Sequence, residues 1–129
     1  MRTVNTSQVI YSTQYPSKGY AADLATLGPG PTGTCPGTEG TQEYACLIDA
    51  KLGCAAGTWC TKYGYKFSLT ATCADGVCTD YVVVAVPAVQ GSTGTKSFCS
   101  TADAVIRAQT GGAILTPPTA AECQTWNPL

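Results

Sequence analysis

A chain of 129 residues is enough for one domain, and only 12% of it is charged, for a formal net charge of -1. Its seven Lys and Arg residues, scattered from Arg2 to Arg107, exclude the basic stripe that displaces counterions from nucleic acid. Histidine is absent, so no Ser-His-Asp or Cys-His nucleophilic arrangement can be built.

The eight cysteines are Cys35, Cys46, Cys54, Cys60, Cys73, Cys78, Cys99 and Cys123, an even number in a short chain. That pattern points to an oxidising compartment. No two of them enclose a two-residue gap and there is no imidazole, so disulfides are the expectation rather than a zinc site. The first residues, Arg2-Thr3-Val4-Asn5-Thr6, are polar where a signal peptide would be apolar, and the longest apolar run, 81–86, is too short to cross a bilayer. The expectation is therefore that Met1 is an added start and that an export or anchoring segment lies upstream.

In chain order, 2–15 predicts a helix, with Val4, Tyr11 and Tyr15 on one face. Its Thr, Val and Ile content gives poor helix propensity, so packing must hold it. Pro16 stops this helix, and Gly19 opens a shorter element in which Leu24 and Leu27 share a face and Gly28 caps the end. Residues 28–40 read as loop. The pattern over 41–52 predicts another short helix, with Leu47, Ile48 and Leu52 inward and Gly53 as its stop.

The period then changes. Tyr65, Phe67, Leu69 and Ala71 alternate with Lys66, Ser68, Thr70 and Thr72, the pattern of a strand with one wet face. Asp75-Gly76 supplies the positive φ angles of a two-residue hairpin, after which 81–86 forms the antiparallel partner. That turn sets Ala74 opposite Val77 and Cys73 opposite Cys78 as a close non-hydrogen-bonded pair, which predicts a Cys73–Cys78 staple. Pro87 and 90–95 break the pattern, and 96–100 and 104–109 give two more short strands around a turn near Asp103. Thr119 and Glu122 stand at capping-box spacing before one helical turn around Cys123.

This order of elements, and several words within it, resemble the soluble heads of type IV pilins and type II secretion pseudopilins. Arg2-Thr3-Val4-Asn5-Thr6-Ser7-Gln8-Val9-Ile10-Tyr11 is similar to the segment where the long pilin helix enters the head. Gly19-Tyr20-Ala21-Ala22-Asp23-Leu24-Ala25-Thr26-Leu27-Gly28, Cys46-Leu47-Ile48-Asp49, Ser97-Phe98-Cys99 and Val105-Ile106-Arg107 resemble one branch of those proteins. The resemblance implies an α+β fold in which an N-terminal helix packs on a three- to four-stranded antiparallel sheet, stapled by disulfides.

One domain would then comprise the end of the pilin helix (1–15), an αβ-loop region (16–62), the sheet (63–109) and a disulfide-closed tail (110–129). Val4, Tyr11 and Tyr15 would join the helix to the sheet through Phe67, Leu69, Val83 and Ile106. By analogy with pilins, and by nearness in sequence, Cys35 would pair with Cys46, Cys54 with Cys60, and Cys99 with Cys123. Eight cysteines allow 105 connectivities. The implied function is structural: a subunit of an extracellular filament whose partners are other pilin subunits, met through the upstream helix that would also anchor it in the membrane. The isolated head is expected to be monomeric, with no cofactor.

The acids Asp23, Glu39, Glu43, Asp49, Asp75, Asp80, Asp103 and Glu122 read as solvated loop and turn carboxylates, and no residue is assigned to catalysis. Major pseudopilins hold calcium near the C-terminus; the matching region here offers only Asp103 and Glu122, and no metal is expected. Trp59, Tyr63 and Trp126 could make a contact platform, although packing is the commoner use of such residues. The alternative to the filament subunit is a free secreted binding module or inhibitor that presents Trp59 and its loop, with a glycan-active enzyme third.

Overall fold

The computed structural model describes residues 2–29, 35, 41–54, 59–110, 114 and 117–128. The first element, α1, runs Arg2–Gln14. The amide of Tyr15 makes one last helical bond to the Tyr11 carbonyl at 2.8 Å before Pro16 ends the run. The second, α2, is the single turn Leu24–Leu27, started by the Asp23 carboxylate on the Thr26 amide and closed by the Gly28 amide on the Ala25 carbonyl.

The helix expected over 41–52 does not form. The amides of Ala45, Cys46, Leu47 and Ile48 donate to the carbonyls of Thr26, Gly28, Leu27 and Leu27 at 2.7–3.1 Å, so the segment lies along α2 instead of coiling on itself. Cys46 is left-handed, with φ 56°, which a helix could not accommodate. Ile48 and Leu52 are nevertheless buried as expected, and Leu47 packs partly against the same core. Gly53 ends a turn here, and its backbone lies against Gly28 so closely that a Cβ on Gly53 would sit 2.7 Å from the Gly28 Cα.

The sheet has six antiparallel strands in sequence order: β1 Cys60–Lys62, β2 Tyr65–Ala74, β3 Val77–Pro87, β4 Lys96–Thr101, β5 Arg107–Thr110 and β6 Asn127–Pro128. The expectation of three or four strands missed β1 and β6, of three and two residues, which are too short to show a period. The strand expected over 104–109 is confined to β5, because Ala104 takes φ 62° and turns the chain.

Asp75 and Gly76 have φ of 53° and 78°, the two left-handed angles of a type I′ hairpin turn. Ala74 faces Val77 and Cys73 faces Cys78; the register then shifts so that Thr72 faces Asp80, a β-bulge. Beyond the hairpin, Lys18 and Tyr20 bond the backbone of Cys78 and form a parallel bridge at Gly19. A Cβ on Gly19 would meet the Cys78 carbonyl oxygen at 2.0 Å, so the bridge requires glycine.

Two cores lie on opposite faces of the sheet. On one, Val4 and Tyr11 of α1, Leu24 and Leu27 of α2, and Ile48 and Leu52 pack on Leu69, Tyr81 and Val83, with Phe67 and Tyr15 partly buried beside them. On the other, Val82, Val84 and Val86 are covered by Cys99 and Cys123, with Trp59, Ile114, Ala120 and Trp126 at the margin. The expected wet face is therefore dry at its centre: Ser68, opposite Val84, is 2% exposed, while Thr70 and Thr72 remain in solvent. The covering element is α3, Ala120–Cys123, started by a complete Thr119–Glu122 capping box.

Disulfides join Cys35 to Cys46, Cys54 to Cys60, Cys73 to Cys78 and Cys99 to Cys123, with Cα separations of 5.9, 5.6, 3.9 and 6.0 Å. Cys99 and Cys123 are fully buried and tie the tail to β4. A Cys99→Ala/Cys123→Ala protein should lose about 3 kcal/mol, measured by denaturant unfolding. The Cys73→Ala/Cys78→Ala protein should lose less, since the shorter loop restricts the unfolded chain less.

Candidate interaction surface

The helix α1 is attached to the domain by polar side chains. Val4, Asn5, Ser7, Gln8 and Tyr11 form its buried stripe at three- and four-residue spacing. The Asn5 amide nitrogen donates to the Ser100 hydroxyl at 3.0 Å, and its oxygen accepts from the Tyr81 hydroxyl at 2.8 Å. Gln8 clamps one peptide unit from both sides, donating to the Ala21 carbonyl at 3.1 Å and accepting from the Ala21 amide at 2.7 Å. Tyr11 donates to the Gln42 carbonyl at 2.6 Å, and Ser7 to the Leu47 carbonyl at 3.4 Å. Val4 and Tyr11 were legible as the inward face; Asn5, Ser7 and Gln8 were not, although their spacing alone puts them on that face.

The opposite side of α1 is partly apolar. Val9 is 58% and Ile10 38% exposed, and the hydroxyls of Ser12 and Thr13 turn back to donate to the Val9 carbonyl. At the start of the helix, Arg2, Asn5 and Thr6 face Ala104, Val105 and Ile106 across an open groove of about 420 Å³. Ile106, expected in the helix-to-sheet contact, lines this groove and is half-buried. Val105 beside it is exposed.

Five of the carboxylates have structural partners. Asp49 pairs with Lys62, and Asp103 with Arg107 at 3.0 Å. Hydrogen bonds from those bases hold both carboxyls below the usual range. Asp23 and Glu122 cap helices, and Asp80 accepts from the amides of Tyr81 and Ala102. Glu39 lies outside the described residues. Asp103 and Glu122, the pair considered for calcium, are thus committed to Arg107 and to the α3 cap. Among the described residues no group of three or more Cys, Asp or Glu gathers where a metal could be held.

Of the three aromatics considered as a platform, Trp59 and Trp126 pack against the second core, and the Lys66 ammonium lies 5.4 Å from the Trp59 ring. Tyr63 alone stands out, 92% exposed. The four disulfides fit an extracellular protein. Among the described residues no helix is long and apolar enough to cross a membrane.

Replacing Asn5 by Leu leaves the buried Tyr81 hydroxyl unpaired, with the Ser100 hydroxyl keeping only its bond to the Thr101 carbonyl, and should cost about 1–3 kcal/mol in denaturant unfolding; Val9→Ser, on the outer face, should be nearly neutral. Burial pushes the Tyr81 phenol far above its ordinary range, with Tyr20, Asp80 and Asp103 adding to the rise. A raised phenol pKa stabilises the fold below the unfolded value and loses that stabilisation as pH climbs above it, so unfolding free energy should fall above about pH 10. Tyr81→Phe should flatten that fall. No protein-family model, no curated protein and no solved structure matches the chain.

Proposed function

We propose that the chain is the head of a filament subunit of the type IV pilin or pseudopilin kind, acting by polymerisation and surface display outside the cell. The observation that carries this reading is the two-faced character of α1. Its inner face is held by hydrogen bonds to segments 13 to 95 residues away, while its outer face shows Val9 and Ile10 to solvent. A helix that served the head alone would turn polar residues outward. With one face embedded and Val9 and Ile10 exposed among Thr3, Thr6 and Thr13 on the other, α1 suits a helix that also packs against neighbouring subunits.

Arg2 in the first helical turn supports the same reading. A base there opposes the helix dipole at a true start but is unremarkable inside a longer helix. In this view α1 continues an apolar segment that anchors the subunit in the membrane and later forms the filament core. The helix, the loop region, the antiparallel sheet and the Cys99–Cys123 tail follow in the order expected of such a head.

N-terminal sequencing of the mature protein from the cell-surface fraction tests the reading. The expected result is about 20 or more mostly apolar residues running into Arg2 without a break. A mature protein that begins close to residue 1, after a removed signal peptide, would overturn it in favour of a free secreted module.

A further inference from the structure

One end of the sheet carries an aromatic side chain that the fold does not use. The turn joining β1 to β2 is Tyr63-Gly64, with φ of 53° and 78°. Both are left-handed, as a type I′ hairpin requires, and the first position favours Asn, Asp or Gly. A bulky aromatic is disfavoured there. Yet Tyr63 is 92% exposed, with the Lys62 ammonium 5.2 Å from its ring. The Gly64 carbonyl accepts from the Ala88 amide, which brings Val89, 57% exposed, to the same end. Lys66, the second residue of β2, whose ammonium lies over the Trp59 ring, and Lys96, the first of β4, stand near this level. Lys62 is paired with Asp49, so the excess positive charge comes from Lys66 and Lys96, and the end is apolar at its tip and basic around it.

The other end of the sheet is acidic and concave. At the β2–β3 turn, Tyr20, Ala22, Glu43 and Gly76 border a cleft of about 320 Å³ whose floor is Tyr11. Glu43 and Lys18 line the cleft, and two more acids neighbour it in the chain: Asp23, which follows Ala22 and caps α2, and Asp75, which precedes Gly76. The Tyr11 phenol is raised by burial first, then by Tyr15, Glu43 and Asp23, so the field of those acids reaches the floor.

We propose that these two ends are a complementary pair: Tyr63 of one copy enters the tip cleft of the next, and Lys66 and Lys96 face Glu43 and Asp75. The occupant is a second copy of this chain, and the match of charge and shape is between opposite ends of one molecule. Such a contact is heterologous and leaves a free end at each copy, so it extends into a row and does not close as a dimer. The inference rests on the filament reading for its purpose. The contact is small, hence weak between isolated heads, and becomes effective when assembled helices hold copies at high local concentration.

The test is NMR of the chain at rising concentration. Amide shifts should move together at Gly64 and Val89 and at Ala22 and Gly76, with a dissociation constant on the order of 1 mM. Raising salt from about 20 mM to about 300 mM should weaken the association several-fold. Tyr63→Asn gives the turn a residue it favours, so melting should not fall, while association should weaken at least about tenfold. Ala22→Arg, at an exposed rim position, should block the cleft.

Neither variant should self-associate, but an equal mixture should form a pair and stop there, because one live end remains on each. Four results would overturn the proposal: no concentration dependence up to about 1 mM, shifts at one end only, unchanged association of Tyr63→Asn, or continued self-association of Ala22→Arg. Each leaves the filament reading standing, since that is decided by the residues preceding Arg2.

Discussion

The Asn5 side chain sits between the Tyr81 and Ser100 hydroxyls, with both ends of its amide hydrogen-bonded in a buried site. An amide buried in this way fixes rotation as well as distance, because a turn of the helix by one residue would leave the Asn5 amide and the Tyr81 hydroxyl unpaired. With α1 so fixed, Gln8 captures Ala21 and sets the entry to α2, and α2 in turn offers its carbonyls to residues 45–48. The described residues of the αβ-loop region have little regular structure of their own. It is built by successive attachment to α1.

On the other face the dependence runs from the tail. Val82, Val84 and Val86 would face solvent without α3, and α3 has only four residues with which to hold itself. An isolated helix of that length is not stable. The buried Cys99–Cys123 bond and the Trp126 contact supply what propensity cannot, and Trp59 closes the margin from β1. That explains how a β3 strand whose residues 81–87 are all buried can exist in a chain this short.

What could be read from sequence was local. Asp75-Gly76 specified its turn and, through it, the cross-strand position of Cys73 and Cys78; Thr119 and Glu122 specified a helix start. Each is a short-range rule that tertiary structure left undisturbed. The segment 41–52 failed because its amide partners lie some 20 residues earlier, which no periodicity reveals. Ser68 looks wet in sequence because alternation records one partner face, while Cys123 and Trp126, which belong to the cluster on that same face, lie more than 50 residues away. Asn5 and Gln8 are silent in the sequence for the same reason: a polar side chain looks solvated until its partner is known. Tyr63 was noticed as an aromatic, but its left-handed backbone, the sign that it is not there for the turn, needed coordinates.

The four disulfides close the spans 35–46, 54–60, 73–78 and 99–123, which follow one another without overlap, and none includes α1. Tension applied through the helix therefore meets no covalent cross-link before it reaches the body of the domain. Pulled along its axis, about 20 Å of helix loads the Asn5, Gln8 and Tyr11 bonds side by side, so they yield together; lifted from one end, they yield in turn. The direction of pull, more than its size, would govern when the helix detaches. The hairpin and the tail stay closed when it does, leaving a surface on which the same helix can seat again.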